Sequence, residues 1–123
     1  MYETLSVPAD DILAYRITGE ITTREAEAIA GDIARMARRR GPVGLLLAVD
    51  SYPSLNADEA LYDDLRFART ESANIRRMAV LGQGAYRNTW VALFGLFGGL
   101  ETAYFERTRV DAAVRWLRGE TVD

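Results

Sequence analysis

The chain has 123 residues, near the commonest size for one domain, and 49% of them are hydrophobic, enough for a core that folds without covalent staples. It contains no cysteine and no histidine, which excludes disulfides, thiolate metal sites and thiol nucleophiles and removes the commonest general base. Its net charge of −3 lacks the basic excess of a general nucleic-acid binder.

All 15 basic residues are arginine, so no lysine is present to form a Schiff base or to serve a phosphate loop. The first residues, "MYETLSVPADD", are acidic and have no basic-then-apolar signal pattern, which leads to the expectation of a cytoplasmic protein. No apolar run approaches the ~20 residues that span a bilayer.

In chain order, "YETLSV" reads as a short edge strand ending at Pro8, and "ILAYRITG" as a second strand with Ile12, Ala14 or Tyr15, and Ile17 inward. The acidic turn "PADD" between them predicts a hairpin. "TTREAEAIAGDIARMARRRG" is the clearest helix: Thr22 and Glu25 form a capping box, and Ala26, Ile29, Ile33 and Met36 or Ala37 lie on one stripe. Arg38, Arg39 and Arg40 sit at its negative dipole end, and Gly41-Pro42 stops it.

"VGLLLAVD" is continuously apolar, as in a strand buried on both faces. A second helix follows over "NADEALYDDLRFARTES", with Asn56 and Glu59 at its start and Leu61, Leu65 and Ala68 inward. "NIRRMAVLG" is another buried strand, closed by Gly82. A third helix is predicted over about 85–97, then a strand in "LETAYF" with Leu100, Thr102 and Tyr104 on one face and Ala103 and Phe105 on the other. A fourth helix lies in "TRVDAAVRWLRG", capped by Thr108 and Asp111, with Val110, Ala113 or Val114, and Leu117 inward. The order β-β-α-β-α-β-α-β-α predicts one α/β domain over residues 1–123, with a mixed five-stranded sheet and four helices.

That order, with the strings "YRITGEIT", "GLLLAVDSYPSL", "LYDDLRFARTESANIRRMAVLG", the Trp90-containing apolar helix and "ETAYFERTRVDAAVRWL", resembles the SpoIIAA-like proteins of the STAS/SEC14-like group. The resemblance covers nearly the whole chain and implies a binding role rather than catalysis. In the STAS branch it implies a phosphorylated serine in an Asp-Ser-Xaa-Gly helix start. Here the region reads "AVDSYPSLNADEA", where Ser51 and Ser54 are available but that helix start is absent. In the SEC14-like branch it implies an apolar cavity for a lipid-like molecule under an apolar lid helix.

The candidate lid is "NTWVALFGLFGGL", residues 88–100, which carries no charge. A surface helix keeps a wide polar face, and this stretch has none beyond Asn88 and Thr89. Apolar surface left over after packing needs a ligand, a membrane surface, a partner or a second copy to cover it. Gly95, Gly98 and Gly99 also make the segment easy to unwind. Trp90, Leu93, Phe94 and Phe97, with Leu61, Tyr62 and Leu65, are the expected ligand lining, acting by area burial. "GQGAYR" offers an anion site through Gly82, Gly84 and Arg87 at a helix start, although Arg87 stands where the dinucleotide fingerprint needs glycine.

Asp63 and Asp64 diverge on their helix, Glu59 and Asp63 read as a solvated face, and Ser51, Ser54 and Ser72 have no His or Lys to activate them. No catalytic residue, cofactor or metal site is therefore expected. Tyr15, Tyr62, Tyr104 and Trp116 read as core or rim aromatics, not as stacking platforms for nucleic acid. The expected partners are an apolar or lipid-like small molecule, with peripheral membrane contact, and a homodimer or regulatory partner that uses the same apolar helix.

Overall fold

The computed structural model describes residues 2–18, 21–49, 68, 70–84, 88, 91 and 99–120. Its strands are β1 (Tyr2–Leu5), β2 (Ile12–Ile17), β3 (Val43–Val49), β4 (Ile75–Gly82) and β5 (Thr102–Glu106). They form one sheet in the order β1-β2-β3-β4-β5. The β1–β2 hairpin is antiparallel and every other pair is parallel.

Two complete α-helices lie among the described residues, α1 (Thr23–Arg40) and α2 (Val110–Leu117), with a one-turn 3-10 helix at Ser72–Asn74. Four helices are predicted; the other two spans lie mostly outside the described residues, with helical backbone at Ala68, Thr70, Asn88 and Val91. The helix predicted from Asn56 runs to Ser72, but the backbone has already tightened there, with a turn at Glu71 and the 3-10 helix beginning.

Thr22 caps α1 as the sequence predicts. Its hydroxyl accepts from the Glu25 amide at 3.1 Å, while its own amide donates to the Glu25 carboxylate at 3.0 Å. At the far end, Gly41 adopts φ 83°, a conformation strained for any residue with a Cβ, and its amide bonds the Ala37 carbonyl at 2.8 Å.

Each face of the sheet carries a buried apolar layer. On the α1 face, Tyr15, Ile17, Leu45, Leu47, Met78, Val80 and Tyr104 pack with Ile29 and Ile33 of the helix, and Ala68 belongs to the same cluster. On the α2 face, Ile12, Ala14, Leu46, Ala79, Leu81 and Phe105 pack with Ala112, Ala113, Val114 and Leu117. The β2 expectation is thus corrected: Ala14 and Tyr15 are not alternatives, because β2 buries one on each face as an interior strand.

The Thr108–Asp111 cap does not form. The Arg109 amide closes a turn onto the Glu106 carbonyl at 2.8 Å, so Arg109 takes the cap position without a side-chain capping bond. The helix starts one residue later than the capping pattern requires. Val110 then turns outward and is 38% exposed, against the expectation that it faces the core.

One irregularity shapes the α2 face. Between β3 and β4, Val43 is opposite Ile75 and Gly44 is opposite Arg77, so Arg76 is an extra residue on β4. The bulge lets two consecutive arginines both serve the end of α2, which regular alternation forbids.

Candidate functional site

The charge-free stretch 88–100 is described at Asn88, Val91, Gly99 and Leu100. Leu100 packs on the α1-face cluster, while Val91 is 51% exposed. Val91 and Val110 are the exposed large hydrophobic residues among the described ones. The remaining predicted lining, Trp90, Leu93, Phe94, Phe97, Leu61, Tyr62 and Leu65, lies outside the described residues, as do Ser51, Ser54 and Arg87.

Of the predicted anion site, Gly82 and Gly84 are described, and each leaves room for a side chain of the chain itself. A Cβ on Gly82 would stand 2.5 Å from the Tyr104 hydroxyl, which donates to the Gln83 carbonyl at 2.5 Å. A Cβ on Gly84 would clash with the Glu106 carboxylate. A fixed negative charge therefore sits against the backbone where the sequence suggests an external anion.

Tyr15 is fully buried and donates to the Asp32 carboxylate at 2.9 Å, with the Tyr2 ring edge-on at 5.6 Å. Burial first, and the bond to Asp32 second, push its phenol well above the usual tyrosine range. A hydroxyl held neutral in this way is a structural donor, not a nucleophile. Among the described residues, no group of acidic residues could hold a metal ion, and no helix is long and apolar enough to cross a membrane.

The α2 face carries a groove of about 580 Å³ that the sequence reading does not anticipate. It exists because α2, at eight residues, is only ~12 Å long, whereas the seven-residue β3 beneath it extends ~23 Å. Among the described residues, the helix covers the start of the strands and leaves their carboxyl ends open. Leu46, Ala48 and Leu81 form the floor, and Leu5, Ser6 and Val7, in and after β1, form one wall. Val110 and two cations, Arg16 and Arg107, complete the lining.

Arg16 lies opposite Ala48, and Ala48 opposite Leu81, so a cation and two apolar floor residues share one row of the sheet. Arg16 pairs with Glu3 at 3.6 Å across the β1–β2 hairpin. A signal for this site was present in the sequence. Ile12, Ala14 and Arg16 share one face of β2, so a charge interrupts an otherwise apolar inward row.

The SpoIIAA-like family model matches residues 12–118, from the first residue of β2 to just past the end of α2. The chain belongs to the SpoIIAA-like family. The match takes in every described strand except β1.

Among solved structures, this SpoIIAA-like chain is similar to an uncharacterised protein of the DUF3478 family with a SpoIIAA-like fold from Shewanella loihica PV-4. The two share 21% identity at a TM-score of 0.61, over 95% of this chain and 92% of the other, a likeness of fold alone. No curated protein matches the chain.

Proposed function

We propose that this SpoIIAA-like protein is a binding module without chemistry of its own, taking an apolar or lipid-like molecule at the charge-free segment 88–100. The observation that carries this reading is Val91, 51% exposed within a stretch that has no charged residue. Apolar surface of this kind is stabilised when a partner covers it, at about 25 cal/mol per Å². The family supports a binding or regulatory role rather than catalysis.

Trp90, Leu93, Phe94 and Phe97 share the segment, and Leu61, Tyr62 and Leu65 complete the proposed lining. The molecule works in the cytoplasm, with peripheral contact at a membrane surface. The competing reading is that a protein partner or a second copy of the chain covers the same segment, as in STAS-type regulation.

Native mass spectrometry of protein purified from its own host separates the two. A co-purified lipid mass that is lost in Val91→Glu supports the ligand reading. A clean dimer that Val91→Glu returns to monomer overturns it in favour of self-association.

A further inference from the structure

We propose that the groove beside α2 is a second binding site, on the opposite face of the sheet from Leu100, for a small amphipathic anion. Its charged end, a carboxylate or phosphate, is held by Arg16 and Arg107, and its apolar tail lies on Leu46, Ala48 and Leu81.

Three observations select this ligand class. The volume of about 580 Å³ is in the ~300–1,000 Å³ range of small-molecule sites. Among the described residues, the lining contains two arginines and no acidic residue, in a chain where Asp and Glu outnumber Arg by 18 to 15. The described floor residues are aliphatic, so an inorganic anion alone would leave apolar surface wet, whereas an uncharged lipid would bring nothing for the cations to bind. Only a molecule with both ends satisfies the groove.

Arginine suits the charged end. Its planar fork presents parallel donors that match a carboxylate or phosphate, and it stays ionised at any physiological pH. Glu3 does not compete strongly, because its pair with Arg16 is long, at 3.6 Å, and both side chains are largely solvated. By register Glu3, Arg16, Ala48 and Leu81 lie in one row of the sheet, and a fork of five donors can serve more than one acceptor. Glu106, the acidic neighbour of Arg107, directs its carboxylate to Gly84. Ser6, in the wall, adds a hydroxyl donor for the same headgroup.

The test is a titration of the intact chain with octanoate, followed through the backbone amide resonances of Ala48, Leu81, Arg107 and Val110. Saturable shifts at these positions are expected. The double variant Arg16→Gln/Arg107→Gln should weaken the apparent affinity by roughly tenfold or more. Octanol, which lacks the charge, and acetate, which lacks the tail, should each bind at least about tenfold more weakly than octanoate. A parallel titration with octyl phosphate decides which headgroup is preferred.

The proposal is overturned if octanoate causes no saturable shift, if its shifts are confined to 88–100, if acetate binds as well as octanoate, or if the double variant binds as tightly as the parent. Because both arginines are exposed, their replacement leaves the core intact, and an unchanged amide spectrum verifies this. Val91→Glu separates the two sites. It should abolish uptake at 88–100 and leave octanoate binding beside α2 unaltered.

Discussion

Arg76, at the bulge that opens β4, donates from Nε to the carbonyl oxygen of Leu117, the last residue of α2, at 3.0 Å. The same guanidinium donates from Nη1 to the Pro42 carbonyl at 2.9 Å and places Nη2 3.1 Å from the Asp11 carboxylate. Arg77 completes the arrangement by donating to the Trp116 carbonyl at 2.6 Å, with its Cζ 4.8 Å from the centre of the indole ring and its Nε 3.2 Å from Glu101. Two adjacent cations thus satisfy carbonyls at the negative end of a helix dipole and tie it to the starts of β2 and β3. This clamp holds α2 over the start of the strands and so defines where the groove begins.

Arg76→Ala should destabilise the fold by about 2 kcal/mol, since it removes two charge-assisted bonds, the one to Leu117 part-buried, and an ion pair. Arg76→Lys should recover little of that loss, because one ammonium cannot replace the separate Nε and Nη1 donors that reach Leu117 and Pro42. Urea denaturation measures both. A loss under about 0.5 kcal/mol for Arg76→Ala would show that the clamp is incidental.

Tyr15 should titrate anomalously. Burial and the Asp32 bond favour the neutral phenol in the folded state, so its contribution to stability is fully present below the unfolded value of about 10 and declines as pH rises beyond it. Absorbance of the phenolate during alkaline titration should show Tyr15 ionising only as the fold is lost. Tyr15→Phe should lower that late amplitude by one tyrosine and cost about 1 kcal/mol at neutral pH. An unchanged late amplitude would refute the assignment.

The α1 cap predicts an acid response of the opposite sign. The bond from the Thr22 backbone amide holds the Glu25 carboxyl below its ordinary range. That contribution is present above the unfolded carboxyl pKa and disappears as pH falls through the lower folded value. Thr22→Ala should reduce stability by about 1 kcal/mol at pH 7. Glu25→Gln should make the acid limb of the stability profile shallower; an unchanged limb speaks against the cap as its source.

Gly82 and Tyr104 should behave as a coupled pair. In Gly82→Ala the new methyl meets the hydroxyl of a tyrosine that is only 5% exposed and bonded to Gln83, at a cost of about 1–3 kcal/mol. Combining it with Tyr104→Phe should restore part of the loss, because the clashing oxygen is gone. Additive losses in denaturation experiments would mean that the two residues act independently.

Much of this protein is local, and for that reason its sequence determined it. The capping box at Thr22 and Glu25 depends on residues three apart, and the doubly buried β3 is legible as an unbroken apolar run over Val43–Val49. The strand order along the chain, with the charge-free stretch at 88–100, was enough to indicate the SpoIIAA-like family. Within that stretch Val91 is 51% exposed. Tertiary structure alone decided the rest. Whether Thr108 caps α2 depends on a turn that Arg109 closes onto Glu106, and whether Arg76 and Arg77 act together depends on a bulge measured against β3. The groove draws its cations from β2 and from the turn after β5, residues about ninety apart in sequence that become neighbours only when the sheet assembles in register. Periodicity reports which face a residue takes within its own element, whereas a site of this kind is set by how far one element falls short of covering another.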